Sequence, residues 1–148
     1  MSDGEDIDGL VFADFPPMPD LEGSRAREWS PQSLAFLGDS VWELYMRQKY
    51  FMPRSHVAAY HNKVRDAVKA EAQAAFVDQL LEEAFWSVDE QALLKWGRNA
   101  AIKGSALPKR LKQGKQNIYR QASALECLVG YLHVTHPDRL QEVLERHG

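Results

Sequence analysis

From about residue 30 onward, apolar side chains recur every three or four positions, and nothing alternates with period two for long. That rhythm predicts helices throughout and no sheet, so the fold class is all-α. Ser30-Pro31 reads as an N-cap followed by proline at the first helical position. The helix it opens runs to about Phe51, where Met52-Pro53 stops it. A second helix opens at Ser55 and passes through His61 and Arg65, and the Ala-rich stretch 66–83 forms a third. Ser87-Val88-Asp89-Glu90 has a helix-start pattern, and the helix behind it carries Leu93, Leu94 and Trp96 to near Ala100. Gly104, Pro108 and Gly114 mark a loop from Lys103 to about Gln116. A long helix from about Asn117 to His136 follows, and Pro137 begins a short amphipathic one. Residues 1–28, dominated by Gly, Asp and Pro, read as a flexible acidic tail, which leaves 29–148 as one domain.

Two polar positions break the apolar pattern. In Leu34-Ala35-Phe36-Leu37-Gly38-Asp39-Ser40-Val41-Trp42-Glu43-Leu44, the stripe Leu34, Leu37, Val41, Leu44 predicts one packed face. Asp39 falls off that stripe, yet it sits among apolar neighbours on a helix expected to be buried all round. In Ala122-Ser123-Ala124-Leu125-Glu126-Cys127-Leu128-Val129-Gly130, Glu126 is the one charged residue. Each acid lies near a helix glycine, Gly38 or Gly130. Glycine inside a helix costs about 1 kcal/mol, which is offset where another backbone must come close. A buried carboxylate neutralises, pairs or binds a cation. Two of them suggest a shared one, and oxygen-only ligation by few side chains suits Mg²⁺, with Mn²⁺ as a substitute. Pairing with an arginine, or simple access to solvent, is the other reading. Glu43, one turn beyond Asp39, either supports the site by a hydrogen bond or forms a surface salt bridge. His133 and His136 read as a helix-face and a helix-end histidine, and Trp42, Trp86 and Trp96 as core.

Charge adds a direction. The first 22 residues hold seven acids and no base, so the net charge of −3 conceals +4 on the remainder. Between Lys95 and Arg120 there are eight bases and no acid. A one-sign block of this kind points to a polyanion; a solvated face is the alternative, although solvated faces normally mix signs. No apolar run approaches bilayer length, and the N-terminus has neither secretory nor transit character. The single cysteine, Cys127, excludes an internal disulfide framework and multi-cysteine metal sites, so a reducing cytoplasm is the expected location. No Gly-rich phosphate loop, nucleophile elbow or Cys–His pair is present.

Phe36-Leu37-Gly38-Asp39-Ser40-Val41 resembles the signature helix of the ribonuclease III family, and more closely that of its small branch, Mini-III, which lacks a separate duplex-RNA-binding domain. Val68 to Ala74 is similar to that branch's Ala/Gln helix, and Gly97-Arg98-Asn99-Ala100 to the segment before its basic loop. Tyr119-Arg120 through Glu126, with Gly130-Tyr131-Leu132, is similar to its second metal helix. The four segments span roughly residues 30–135 in the family's order.

The resemblance implies a homodimeric, Mg²⁺-dependent endoribonuclease that cuts double-stranded RNA and leaves 5′-phosphates. It also implies ribosomal RNA precursor maturation, a step of ribosome biogenesis, as the setting. Asp39 and Glu126 align with the family's central metal-binding, catalytic carboxylates. Arg98, Lys103, Lys109, Arg110, Lys112 and Lys115 become the expected phosphate contacts, with Glu43 and Ser123 as supporting residues. Larger family members carry two further acids, at the positions held here by Ala35 and Ser123. That departure leaves open a catalytically silent RNA-binding or assembly module on the same fold, or a helical adaptor whose acids are merely paired.

Overall fold

The computed structural model describes residues 28–103 and 112–148, and among these residues the chain forms helices and no strand. In order they are α1 (Pro31–Lys49), α2 (Val57–Val68), α3 (Ala70–Glu82), α4 (Val88–Lys103), α5 (Gln113–Thr135) and α6 (Pro137–Glu145). The acidic tail up to residue 27 and the middle of the basic segment, 104–111, lie outside the described residues.

Several starts follow the local chemistry read from the sequence. The Ser30 side chain accepts the Ser33 N–H at 3.1 Å, with Pro31 in the first turn. At α4 a capping box closes: Glu90 N donates to Ser87 Oγ at 3.1 Å, and Ser87 N donates to Glu90 Oε1 at 2.9 Å. Glu90 is also gripped by Arg139 of α6, at 2.7 Å from the guanidinium Nε. Burial alone would raise the Glu90 pKa, but the bonds from Arg139 and Ser87 outweigh it and hold the carboxyl below its usual range.

Other boundaries differ from expectation. The third helix starts at Ala70 rather than 66, because Lys69 is extended and α2 continues to Val68. His56, not Ser55, caps α2. The long helix begins at Gln113 instead of Asn117: Gly114 falls in its first turn with open space around it, where a glycine does not end a helix. The loop is correspondingly shorter, since α4 also runs past Ala100.

Helix α5 is the hub, packing on α1, α3, α4 and α6. Leu125, Leu128 and Val129 are fully buried there against Val77 and Leu80 of α3, Leu94 of α4 and Val143 of α6. Trp42 and Trp86 belong to this core, and each indole N–H is satisfied by a backbone carbonyl, of Ala67 at 3.2 Å and of Val77 at 3.1 Å. Trp96 packs against its edge.

The packed face of α1 is not the expected stripe. Leu34, Gly38, Trp42 and Met46 face inward, whereas Phe36 is 80% and Leu44 57% exposed. A glycine contact decides this. A Cβ on Gly38 would overlap the Glu126 carbonyl and lie 2.8 Å from Gly130 N, and a Cβ on Gly130 would overlap the Leu34 carbonyl. The two backbones touch only because both positions lack a side chain, which turns α1 by part of a turn from the orientation the Leu/Val stripe predicts.

Gly38→Ala should therefore force α1 and α5 apart despite alanine's better helix propensity. We expect a loss of about 2–4 kcal/mol, at and above the upper end of the usual overpacking cost because the clash is with backbone, read as a fall of roughly 5–15 °C in thermal melts. A variant at least as stable as the parent would refute the close contact.

Candidate metal and RNA site

The glycine contact sets the position of both acids. Asp39 follows Gly38 directly, and Glu126 supplies the carbonyl against which Gly38 rests. Their side chains line one cleft of about 300 Å³ between α1, α4 and α5, together with Ala35, Phe36, Gly97 and Ser123. Gly97 matters to its shape: a Cβ there would come within 3.1 Å of the Ala124 Cα, so α4 lies close along α5.

Asp39 is exposed and Glu126 half-buried, which corrects the expectation of two buried carboxylates. The face of α1 that carries Asp39 is open because only the Leu34–Met46 side is packed. The pair is nevertheless under electrostatic tension. Burial, then the negative charge of Asp39 and a hydrogen bond with it, push the Glu126 carboxyl up to about 8, partly opposed by Gln73. Without a cation, the repulsion is eased by a proton on Glu126, whose carboxyl hydrogen-bonds to Asp39.

Gln73 is a site residue that the sequence reading missed. It is 2% exposed, and its amide donates to Glu126 Oε2 at 3.4 Å from α3. A signal existed: Gln73 occupies the inward stripe of α3 with Phe76, Val77 and Leu80, where an apolar residue belongs.

Ser123 lies in the cleft as well. Glu43 does not join it: it pairs with Arg47 one turn on and faces a separate groove with Tyr60 and His61. The salt-bridge alternative is the one observed. Among the basic residues, Arg98 is half-buried on α4 and donates to Gln121 Oε1 at 2.8 Å. Lys112 and Lys115 are exposed at the start of α5, so Lys115 is on the helix rather than in the loop. Lys103 ends α4, while Lys109 and Arg110 lie outside the described residues. His136 caps α5 and contacts Thr135, away from the cleft.

The donor set fits a hard divalent cation: two carboxylates from different helices whose mutual repulsion a bound cation would relieve. Among the described residues no cluster of three or more His, Cys, Asp or Glu that could hold a metal ion exists, so Asp39 and Glu126 are the carboxylates of this cleft. No helix among them is long and apolar enough to cross a membrane.

Comparison with known proteins gives a concordant result. The ribonuclease III domain family matches residues 32–137. A protein named mini-ribonuclease 3 from Thermosynechococcus vestitus is 41% identical over 120 residues, covering 81% of this chain and 74% of its own length. Another of that name, from a Synechococcus species, is 36% identical, covering 85% of this chain and 86% of its own. A crystal structure of a Fusobacterium nucleatum protein superposes with a TM-score of 0.67 over 81% of this chain and 92% of its own, at 21% identity.

The shared proton gives a test in metal-free buffer. Folded Glu126 keeps its proton up to about pH 8, whereas the unfolded side chain releases it near 4.5. The stability this group contributes is complete below the lower value and lost as pH rises through the higher one. Melting temperature should therefore fall between pH 5 and 8.5 in the parent and fall less in Glu126→Gln, with Mg²⁺ restoring the parent alone. Parallel pH profiles for the two proteins would dismiss the shared proton.

Proposed function

The chain belongs to the ribonuclease III family, metal-dependent endoribonucleases that act on double-stranded RNA, and from that premise we propose that Asp39 and Glu126 form its catalytic, Mg²⁺-holding pair. The observation that carries the reading is the glycine-set approach of these two acids in one open cleft. Mn²⁺ would serve as a substitute, given the same oxygen donors. When bound, the ion would supply an acidic water and positive charge at the phosphoryl oxygens; 5′-phosphate and 3′-hydroxyl ends are the proposed products on the strength of the family resemblance. The protein's part is positional. Gln73 donates to the Glu126 carboxylate and Ser123 offers a hydroxyl in the same cleft, whose remaining walls include Ala35, Phe36 and Gly97.

Recognition rests on charge and shape. Lys112 and Lys115 sit at the N-terminal end of α5, where the helix dipole already favours an anion and no acid occupies the first turn. With Arg98 they supply positive charge suited to RNA phosphates, and Lys103, Lys109 and Arg110, which lie between them in the sequence, are proposed as further phosphate contacts. A-form RNA hides its bases in a narrow major groove, so such contacts read the duplex rather than its sequence. Structured precursors of ribosomal RNA are the proposed natural substrate, on the strength of the family resemblance, and the cytoplasm the proposed location.

A second copy of the chain is the proposed partner. Phe36 and Leu44 leave an apolar face on α1, and Phe51, Met52 and Val57 extend exposed apolar surface beyond its end. Phe36 also walls the carboxylate cleft, so a homodimer formed on this face would hold its two sites beside the interface, one for each RNA strand.

Two outcomes are expected. Asp39→Asn should reduce cleavage of a duplex RNA in Mg²⁺ to background while leaving the melting temperature and RNA retention largely intact; sustained cleavage would reject the assignment. Phe36→Asp should shift the species seen by light scattering from dimer to monomer. A parent that is itself monomeric at micromolar concentration would remove the dimer from this account.

A further inference from the structure

A second cleft, of about 400 Å³, opens between α3, α4 and α5 and is lined by Asp78, Arg98, Asn99, Asn117, Arg120 and Gln121. Two arginines share its lining. Arg47, Arg139 and Arg146 each pair with carboxylates, of Glu43, of Glu90 and Glu142, and of Glu83. Arg98 and Arg120 do not, and neither does Arg65, which donates to Asn62 Oδ1, but of these three only Arg98 and Arg120 share a cleft. Arg98 Nη1 donates to the amide oxygen of Gln121 at 2.8 Å, and Arg120 donates to Asn117 Oδ1 at 3.2 Å and to Gln116 Oε1 at 3.4 Å. Arg120 Nε is buried and has no hydrogen-bond partner, alone among the described side chains in this. Two guanidinium groups thus line one cleft, bonded to neutral amides and salt-bridged to no carboxylate among the described residues, with Asp78 the single acid in the lining.

The one acid present is arranged to orient rather than to pair. Asp78 Oδ1 accepts from Gln121 Nε2 at 2.7 Å. That bond fixes which end of the Gln121 amide faces Arg98, so Arg98 meets a carbonyl dipole and keeps its net charge available. The result is a half-buried pair of guanidinium groups, positioned by amides and carrying one positive charge more than the acid beside them, which suits an oxyanion. Guanidinium groups grip phosphate through paired N–H bonds.

We infer that this cleft between α3, α4 and α5 holds a backbone phosphate of the RNA strand, one distinct from the phosphate at Asp39 and Glu126, with Arg120 and Arg98 as its grips. The inference rests on the nuclease reading above and adds Arg120, Asn117 and the Asp78–Gln121 brace to it. Arg120 and Glu126 are six residues apart on one helix, about 9 Å along its axis. A phosphate in this cleft therefore lies away from the reacting one, and losing it weakens binding without touching the chemical step.

The test uses the full chain and Arg120→Gln. Binding to a duplex RNA is titrated in EDTA over a range of salt, and cleavage of the same RNA is followed in Mg²⁺. Removing one phosphate contact should reduce the slope of log K against log salt by about one. KM should rise about tenfold with kcat within twofold. Arg120→Lys, which keeps the charge, should preserve the slope, an outcome that a purely structural role would not give. If Arg120→Gln melts far below the parent, Gln121→Glu, which sets a carboxylate against Arg98 and so cancels one charge of the cleft, provides the same readouts. An unchanged slope and KM in a folded variant would overturn the inference. So would stabilisation of the parent by inorganic phosphate, lost in Arg120→Gln while the RNA slope stays put, since the cleft would then take a small phosphate rather than a strand. Failure of the parent itself to cut duplex RNA would be recognised separately, as a failure of the nuclease reading.

Discussion

The structure depends on two helices touching backbone to backbone. Gly38 meets the Glu126 carbonyl, and Gly130 meets that of Leu34. Because each glycine accommodates the other helix, the crossing of α1 over α5 is fixed in rotation as well as in distance. Everything placed by that crossing follows from it: Trp42 and Met46 in the core, Asp39 at the mouth of the cleft, and Phe36 and Leu44 left outside. Larger side chains at either glycine would have made the apolar stripe, rather than the close approach, decide which face is buried.

Around this contact the protein separates two uses of charge. At the corner formed by α4 and α6, Glu90 and Arg139 neutralise each other, and the same carboxylate completes a helix cap. That arrangement consumes its electrostatics internally and contributes to holding the fold. At the two clefts the opposite holds. Glu126 and Asp39 share a surplus of negative charge, while Arg98 and Arg120 share a surplus of positive charge. Both surpluses are braced by amides, Gln73 in one and Gln121 in the other, which fix geometry without cancelling charge.

Much of this was legible beforehand. Caps and prolines located the start of α1, the Ser87–Glu90 pattern that of α4, and Pro137 that of α6, because those signals act within one turn of chain. Glycines beside lone acids drew attention to Asp39 and Glu126. What could not be read was rotation. The Leu34-Leu37-Val41-Leu44 stripe was a sound amphipathic pattern, but the contact that overrode it joins residues more than 80 positions apart. Gln73 was missed for a related reason: a glutamine in an Ala-rich helix is unremarkable until Glu126 is seen above it. Lys115 was misplaced because Gly114 reads as a breaker, although a first helical turn tolerates it.

Glu126 has an unusual division of labour. Its main-chain oxygen takes part in the packing contact, and its carboxylate, under the assignment proposed here, takes part in the chemistry. The two roles are separable at a single codon. Any residue at 126 supplies that oxygen, so the packing contact makes no demand for a carboxylate, and the fold and the reaction place independent requirements on one position.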